Sequence, residues 1–315
     1  MTRMPSVGII GSGMAGLACA RRLADAGWSP VVFDKGRGVG GRTATRRGAG
    51  DVQFDHGAQY VTARDDGFRS VLDGMSRSGA AGRWGASGDK PRFVGTPGMT
   101  GLAKHLATGL DVRQRITATA VRQANGRPAI VVDGGSAHSF DRVVVTAPAP
   151  QALVLLETEK SVFSDAERIT YDPCLTLMVQ LNADVSAGFL CRADADADLA
   201  WLAHDSSKPG RHGAGCWVAQ AGPDWSAAHL ELDLDEIRAK MLPLFIQELG
   251  VGADAVVHAA AHRWRYAKVV RPLGRPFVKN VDATIYAGGD WCLGARVEAA
   301  WTSGHAIAGD LLASA

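Results

Sequence analysis

The first forty residues alternate short apolar runs with glycine-rich turns, in the order of a strand, a helix and a second strand. Residues 7–10 are almost wholly apolar, which predicts a buried strand. Residues 14–26 carry apolar side chains at helical spacing and are followed by Gly27, so we expect a helix that ends there. A second apolar run at 31–33 predicts the next strand, which ends at Asp34.

A complete G-x-G-x-x-G sequence joins the first strand to the helix, and it consists of Gly11, Ser12, Gly13, Met14, Ala15 and Gly16. The first glycine permits a tight turn, the second lets a pyrophosphate approach the backbone, and the third lets the helix pack on the sheet. Asp34 lies where an acid that binds a ribose hydroxyl is expected. The pattern predicts a dinucleotide-binding lobe with all seven residues at the cofactor.

A second glycine-rich turn follows, and it resembles the GG-R-[ST] extension of FAD proteins related to the amine oxidases. It reads KGRGVGGRT from Lys35 to Thr43. Lys35, Gly41 and Arg42 are therefore predicted to bind the cofactor, with backbone N–H groups and one guanidinium at the pyrophosphate. The alternative is a solvated basic turn.

Three further segments narrow the resemblance to the bacterial renalases and their close FAD-dependent relatives. They are FDHGAQYVTAR at 54–64, WLAHDSSKPGR at 201–211 and GGDWCLGARVEAA at 288–300. The second has His204 where the family usually has Asn, and the third has Ala295 in place of Gly. The resemblance covers both ends of the chain and several places between them.

The resemblance implies roles for residues in these segments. Ala58, Gln59 and Tyr60 would pass beside the isoalloxazine, although an ordinary strand with a half-buried tyrosine is the alternative. The segment with Gly289, Asp290, Arg296 and Val297 would bind the ribityl–pyrophosphate region and place a helix N-terminus at the ring. Val121 would contact adenine through its backbone, and Ala147 would lie next to the cofactor. FAD would be held noncovalently.

The part of the chain from 151 to 279 lacks cofactor-like signals and is predicted to form a substrate lobe. Strands are expected at 175–181, 216–221 and 255–267, and a helix capped by Asp235 should run to Leu249. Residues 74–98 indicate loops with a short strand at 92–94.

The last of these strands carries an aromatic face. Strand periodicity places His262, Trp264 and Tyr266 on one face of it. These three residues, with Gln59 and Tyr60, are the predicted catalytic residues. The aromatic face suits the roof of a flat ring, and it suits core packing equally well.

The fold predicted from these elements is a two-lobed α/β FAD-binding fold similar to that of p-hydroxybenzoate hydroxylase. A Rossmann-type lobe would use residues 1–70, 96–150 and 280–315. An inserted mixed-sheet lobe would use 71–95 and 151–279.

Composition limits the compartment and the partners that we expect for the protein. The 315 residues are 46% hydrophobic, and a net charge of +2 argues against nucleic-acid or membrane partners. Five scattered cysteines, without a C-x-x-C pair, indicate a reducing compartment and no zinc site. No signal peptide or other metal motif is recognisable, so a soluble cytoplasmic protein without an obligate protein partner is expected.

Three functions remain open. The resemblance to renalases implies hydride transfer from a small planar donor, an isomeric dihydronicotinamide, to flavin N5, with O2 reoxidising the flavin and giving H2O2. A general amine oxidase or desaturase would use a lysine near N5, for which Lys208, Lys268 and Lys279 are the candidates. The third possibility is a flavin-binding protein without turnover.

Overall fold

The computed structural model describes residues 4–85, 91–124, 126–159, 161–183, 185, 187–213 and 215–314. Seven α-helices occur within these ranges: α1 Met14–Asp25, α2 Asp66–Arg77, α3 Thr100–Ala107, α4 Ala149–Leu155, α5 Pro223–Ala228, α6 Leu234–Leu249 and α7 Val297–Ala313. The strands are β1 Val7–Ile10, β2 Val31–Asp34, β3 Arg46–Arg47, β4 Gln53–Phe54, β5 Ala81–Trp84, β6 Arg92–Gly95, β7 Asp111–Gln114, β8 Ala118–Ala124, β9 Arg127–Val132, β10 Ala137–Ser139, β11 Arg142–Val145, β12 Tyr171–Leu181, β13 Cys191–Ala193, β14 Trp201–His204, β15 Cys216–Gln220, β16 Val256–Val269, β17 Phe277–Lys279 and β18 Ile285–Gly288.

The first lobe is built on a six-stranded sheet with the order β17-β18-β11-β1-β2-β7. All neighbours in it are parallel except β17, which pairs antiparallel with β18. Its inner strands are almost wholly apolar because both faces are covered: helices α1 and α7 pack on one face, and the three-stranded sheet β10-β9-β8 packs on the other. This confirms the predicted Rossmann-type lobe.

The C-terminal helix completes this lobe by packing on the first helix. A Cβ added at Gly304 would lie 1.9 Å from the carbonyl oxygen of Ala15, so only a glycine permits the observed approach of α7 to α1. The two ends of the chain therefore meet beside the glycine-rich turn.

The second lobe contains a five-stranded sheet with the order β13-β14-β15-β12-β16, whose pairs are all antiparallel. Helix α6 buries Ile237, Met241 and Phe245 against one face of this sheet, together with Leu175 and Leu177 of β12. The opposite face carries the next residue of each strand and is directed at the first lobe.

Several predicted elements require correction. The cap of α6 is Asp233, which forms a capping box with Glu236, so the predicted cap at Asp235 is wrong. Residues 81–84, predicted as loop, form β5, which pairs with β6; residues 86–90 of that prediction lie outside the described ranges. Helix α2 was not predicted.

The predicted lobe boundary at residue 279 falls inside a sheet. Strand β17 belongs to the six-stranded sheet although residues up to 279 are assigned to the substrate lobe by sequence. In the described part of the chain, no helix combines the length and the apolar composition needed to span a bilayer.

Candidate flavin site

The three glycines of the G-x-G-x-x-G turn differ in what surrounds them. Gly11 has a φ of +104°, which other residues rarely adopt. A Cβ on Gly16 would lie 1.9 Å from the carbonyl oxygen of Gly11, whereas a Cβ on Gly13 would have nothing within 4 Å. The turn thus leaves open space at Gly13 alone, where the pyrophosphate of a dinucleotide is expected.

The second glycine-rich turn lies directly against the first. The N–H of Gly40 donates to the carbonyl of Ser12 at 2.9 Å, and a Cβ on Gly41 would lie 3.6 Å from the Cα of Gly13. Two glycine-rich stretches of backbone therefore border the open space at Gly13. Lys35 and Gly41 are both exposed at this edge.

Asp34 holds the first turn in place. Its carboxylate accepts hydrogen bonds from the N–H and hydroxyl of Ser12 at 2.6 and 2.7 Å and from the N–H of Gly36 at 2.6 Å. Two carboxylate oxygens offer about four acceptor positions, so capacity remains for a ribose hydroxyl.

The helices that begin at this space have no side-chain caps. Gly13 is the N-cap of α1 and Arg296 is the N-cap of α7, and neither end has a side-chain cap hydrogen bond. An uncapped helix N-terminus presents N–H donors and the positive end of its dipole to an anionic or electron-rich ligand. These features and the open space at Gly13 fit FAD.

The start of α7 is fixed by Glu298 of the R-V-E sequence. Its carboxylate, which is 3% exposed, accepts the N–H groups of Arg64 and Asp65, and it pairs with Arg296 at 2.8 Å. The predicted cofactor residue Arg296 is thus exposed at the surface and bound to Glu298, with Val297 half-buried beside it.

Arg42 joins the two lobes. Its guanidinium forms a bidentate pair with Asp290 at 2.6 and 2.8 Å and donates to the carbonyls of Tyr266 and Ala267 at 3.1 and 3.2 Å. The predicted cofactor residues Arg42 and Asp290 therefore contact each other. Arg42 also binds the backbone near the C-terminal end of β16.

Four side chains lie in register on the face of the five-stranded sheet that is directed at the first lobe. Trp201 lies opposite Gln220, Gln220 opposite Thr176, and Thr176 opposite His262. Directly opposed residues of antiparallel strands point to the same face, so these four side chains form one line across four strands. Three steps of about 4.8 Å make the row roughly 14 Å long. We call it the polar row.

The segment 56–60 crosses the polar row. At one end, the indole N–H of Trp264 donates to the carbonyl of His56 at 2.7 Å. In the middle, the amide of Gln220 donates to the carbonyl of Gly57 at 2.8 Å. At the other end, the rings of Tyr60 and Trp201 lie 5.7 Å apart.

His56, His262 and Trp264 form an aromatic cluster at the β16 end of the row. The ring of His56 lies 4.7 Å from that of His262 and 5.1 Å from that of Trp264, and His262 lies 4.3 Å from Trp264. Nδ1 of His56 is buried and has no hydrogen-bond partner.

Both histidines of the cluster are held in the neutral form. Burial, with repulsion from His262 and Arg46, lowers the pKa of His56 to about 4. Burial and Arg46 likewise lower the pKa of His262 to about 4. At neutral pH the cluster is therefore aromatic and uncharged.

Gln59 is anchored in a buried ion cluster on the far side of the segment 56–60. Its side chain accepts from the ammonium of Lys208 at 3.2 Å and donates to the carbonyl of Gly57 at 3.1 Å. Lys208 also pairs with Asp205 at 2.6 Å and Asp55 at 3.2 Å, and all three of these ionic side chains are 0% exposed. Arg211 completes the set by pairing with Asp55.

The four charges of the cluster sum to zero. Burial alone would raise the pKa of Asp55, but Lys208 and Arg211 hold it below its ordinary value. Burial raises the pKa of Asp205, and the charge of Asp55 adds to that effect. The cluster fixes Gln59 and thereby the segment 56–60.

The remaining predicted site residues lie as follows: Met14 and Ala15 are buried in the first turn of α1, and Val121 is a core residue of β8. The carbonyl of Val121 accepts a hydrogen bond from the hydroxyl of Thr158 at 3.2 Å, and the carbonyl of Ala147 accepts one from the indole N–H of Trp291 at 3.1 Å.

Ala58 is half-buried, and its N–H donates to the carbonyl of Arg42 at 2.9 Å. Tyr266 packs on Tyr171, with ring centroids 5.5 Å apart.

Sequence reasoning missed four residues of the site: His56, Gln220, Thr176 and Trp201. Together with His262 and Trp264 they form what we call the wall. The signal for His56 was present, because it precedes Gly57 in the same motif as Gln59. The other three lie on different strands and are brought together only by the sheet register. Within the described ranges, no group of three or more metal-ligating side chains is found.

Comparison with protein families gives two matches. A model of NAD(P)-binding Rossmann-like domains matches residues 9–74, and a model of flavin containing amine oxidoreductases matches residues 76–312. The chain belongs to the flavin-containing amine oxidoreductase family. It is an FAD-dependent oxidoreductase, as the sequence predicts.

Individual relatives agree with this assignment. The chain is 25% identical to renalase of Mus musculus over 322 aligned positions, which cover 91% of this chain and 93% of the mouse protein. A crystal structure from Exiguobacterium sp. 255-15, provisionally assigned as a protoporphyrinogen oxidase, matches with a TM-score of 0.80 at 13% identity, covering 100% of both chains. Putrescine oxidase bound to putrescine matches with a TM-score of 0.72 at 14% identity, covering 99% of this chain and 100% of that one. Both structures share the fold of this chain.

The glycine turn is tested by two matched substitutions. Gly13→Val places its side chain in open space, so the protein should fold but lose FAD. Gly16→Val should destabilise the fold by roughly 1–3 kcal/mol or more, because its Cβ meets backbone. FAD content is measured in the supernatant after acid precipitation, and stability by thermal melting. Full flavin occupancy in Gly13→Val would contradict the assignment of the turn.

The buried ion cluster predicts a large cost for removing its lysine. Lys208→Met leaves two buried carboxylates with only Arg211, and should cost about 3–5 kcal/mol in the free energy of unfolding. Lys279→Met is the control, because Lys279 is 38% exposed and pairs with Asp310 at the surface; it should cost under about 1 kcal/mol. Urea unfolding measures both. Equal losses would show that the buried pairs of Lys208 stabilise the fold no more than a surface ion pair does.

The histidine cluster predicts a pH dependence of stability. Because the pKa of His56 is about 4 when folded and near 6.5 when unfolded, the unfolded chain binds the extra proton between these values. Stability should be complete above pH 6.5 and fall as pH drops towards 4. The melting temperature of wild type should fall more between pH 7 and pH 5 than that of His56→Gln. Identical slopes would contradict the neutral, buried histidine.

Proposed function

We propose that the protein oxidises a small planar donor, with isomeric dihydronicotinamides as the donor class, and that molecular oxygen is the final electron acceptor. The observation that carries the proposal is the neutral aromatic cluster of His56, His262 and Trp264 at the start of the segment 56–60. The rings of His56 and Trp264 are inclined by 32°, and the ring of His262 stands edge-on to both. A planar uncharged ring packs well against such a wall, with about 0.5–1.5 kcal/mol per aromatic pair beyond area burial.

The charges around the wall distinguish a protonated amine donor from an uncharged dihydronicotinamide ring. The four residues of the polar row include no carboxylate, and the nearby acids Asp55, Asp205 and Asp290 are bound to cations. A protonated alkyl amine would have no free counter-charge among them. An uncharged dihydronicotinamide ring needs none.

Two of the three lysine candidates of an amine oxidase are held in ion pairs. Lys208 is fully buried between two carboxylates, and Lys279 pairs with Asp310 at 2.7 Å. Lys268 is exposed at the end of β16. Because Lys208 and Lys279 are bound to carboxylates, the amine-oxidase alternative gains no support from them.

The contribution of the protein to the reaction is placement. Bound FAD supplies the hydride acceptor at N5. The hydrogen bonds from Trp264 to His56 and from Gln220 to Gly57 fix the wall before the donor arrives, which reduces the entropy lost on binding. Tyr60 extends the wall at the Trp201 end of the segment, and Gln59 braces the segment from behind.

We also propose that the flavin is noncovalent. Cys292 is the cysteine nearest to the Gly289–Asp290 turn, and burial raises the pKa of its thiol to about 12. A protonated, buried thiol is a poor nucleophile. No disulfide joins the cysteines in the described ranges, which suits a reducing compartment.

Anaerobic flavin bleaching tests the proposed donor. The 2- and 6-dihydro isomers of NAD(P)H should bleach the oxidised flavin much faster than 4-dihydro NADH or primary amines. His262→Ala should slow bleaching roughly 2- to 10-fold while FAD content is unchanged, since one aromatic contact is lost. His258→Ala, an exposed histidine on the same strand, is the control and should behave as wild type.

Two outcomes would overturn the proposal. Rapid bleaching by a primary amine with no response to the isomers would indicate the amine-oxidase alternative. Bleaching that is unaffected in His262→Ala would remove the aromatic cluster from the donor site.

A further inference from the structure

Two consecutive carbonyl groups, those of His56 and Gly57, are held by side-chain donors. The indole N–H of Trp264 donates to the carbonyl of His56 at 2.7 Å. The carbonyl of Gly57 accepts from the side chain of Gln220 at 2.8 Å and from that of Gln59 at 3.1 Å. The orientation of both peptide groups is therefore fixed from the carbonyl side.

The N–H groups of these two peptides differ in what they contact. In a trans peptide the N–H points away from the carbonyl oxygen, so the N–H of Gly57 is directed away from Trp264 and that of Ala58 away from Gln220. The N–H of Ala58 donates to the carbonyl of Arg42 at 2.9 Å. The N–H of Gly57 has no acceptor in the described part of the chain, although Gly57 is buried. A buried N–H without an acceptor is costly, so we expect a bound ligand to supply one.

Gly57 is packed against the second glycine-rich turn. A Cβ on Gly57 would lie 2.1 Å from the carbonyl oxygen of Arg42 and 3.4 Å from Cζ2 of Trp264, so only glycine fits between them. Arg42 follows Gly41, whose added Cβ would lie 3.6 Å from the Cα of Gly13. The N–H of Gly57 thus lies beside the turns where FAD is expected, and the ring nitrogens and carbonyl oxygens of a flavin are hydrogen-bond acceptors.

We propose that Trp264 is a positioning residue that raises the reduction potential of the bound flavin, because it holds the carbonyl of His56 and so keeps the N–H of Gly57 directed at the ring. Reduction adds electron density to the ring, so a fixed N–H donor binds the reduced form more strongly than the oxidised form. The bond from Trp264 also polarises the peptide, which strengthens its N–H as a donor. The inference depends on the bound FAD and not on the identity of the substrate.

The potential is measured without any substrate. The holoenzyme is reduced in equilibrium with a redox dye of known potential, and absorbance gives the ratio of reduced to oxidised flavin. Trp264→Phe keeps an aromatic ring but loses the indole N–H, and it should lower this ratio roughly 2- to 10-fold at a fixed dye potential, the effect of about one hydrogen bond. Trp225→Phe is the control for loss of an indole, because Trp225 lies on α5 and stacks on His229, with ring centroids 4.0 Å apart. It should leave the ratio unchanged.

Gln220→Leu separates this role from a general loosening of the segment 56–60. It removes one donor from the carbonyl of Gly57, which keeps its bond from Gln59. The N–H of that peptide, on Ala58, is already bonded to Arg42. The ratio of reduced to oxidised flavin should therefore stay near that of wild type.

A measurement on the wild-type protein follows the N–H itself. The sequence contains two His-Gly pairs, at 56–57 and 212–213. Labelling histidine carbonyl carbons with ¹³C and glycine nitrogens with ¹⁵N therefore selects two amide signals in an NMR spectrum, and His212→Gln identifies the second. The amide proton of Gly57 should move downfield when the flavin is reduced anaerobically, while that of Gly213 should stay in place.

Three results would overturn the inference. They are an unchanged flavin ratio in Trp264→Phe, equal losses in Trp264→Phe and Gln220→Leu, and an unmoved amide signal of Gly57. The last of these needs no variant at position 264, so it decides the question even if Trp264→Phe does not fold. Failure of the proposed function is a separate result, because absence of bleaching by every dihydro isomer leaves these measurements unaffected.

Discussion

The bidentate pair between Arg42 and Asp290 is the contact on which the site depends. It joins the second glycine-rich turn to the C-terminal Gly-Asp turn, and the same guanidinium holds two carbonyls at the end of β16. Charge-assisted hydrogen bonds of this geometry are among the strongest in proteins. One side chain therefore links the five-stranded sheet to both turns.

The segment 56–60 is held from both sides. The buried ion cluster of Asp55, Asp205, Lys208 and Arg211 fixes Gln59 from behind, while Gln220 and Trp264 bond its carbonyls from the substrate sheet. A buried ion pair adds little net stability compared with apolar packing, but it tolerates few alternative arrangements. The cluster thus holds the segment 56–60 in place, and the neighbouring rings of His56 and His262 are neutral.

Sequence reasoning succeeded where the signal is local. The glycine turns, the strand that ends at Asp34 and the alternation of His262, Trp264 and Tyr266 all depend on neighbouring residues, and the structure shows the turns, the strand and a shared face for His262 and Trp264. The polar row could not be predicted, because it arises from the register of four strands far apart in the chain. The cap of α6 was misplaced because two acids, Asp233 and Asp235, lie two positions apart and only the first has Glu three residues later.

The most direct test of this account is a crystal structure of the FAD-bound protein with nicotinamide mononucleotide. The account predicts the pyrophosphate of FAD at the backbone of Gly13, Arg42 still paired with Asp290, and the nicotinamide ring against His262 and Trp264. A nicotinamide ring bound away from the polar row, or Arg42 released from Asp290 to bind the FAD pyrophosphate, would contradict it.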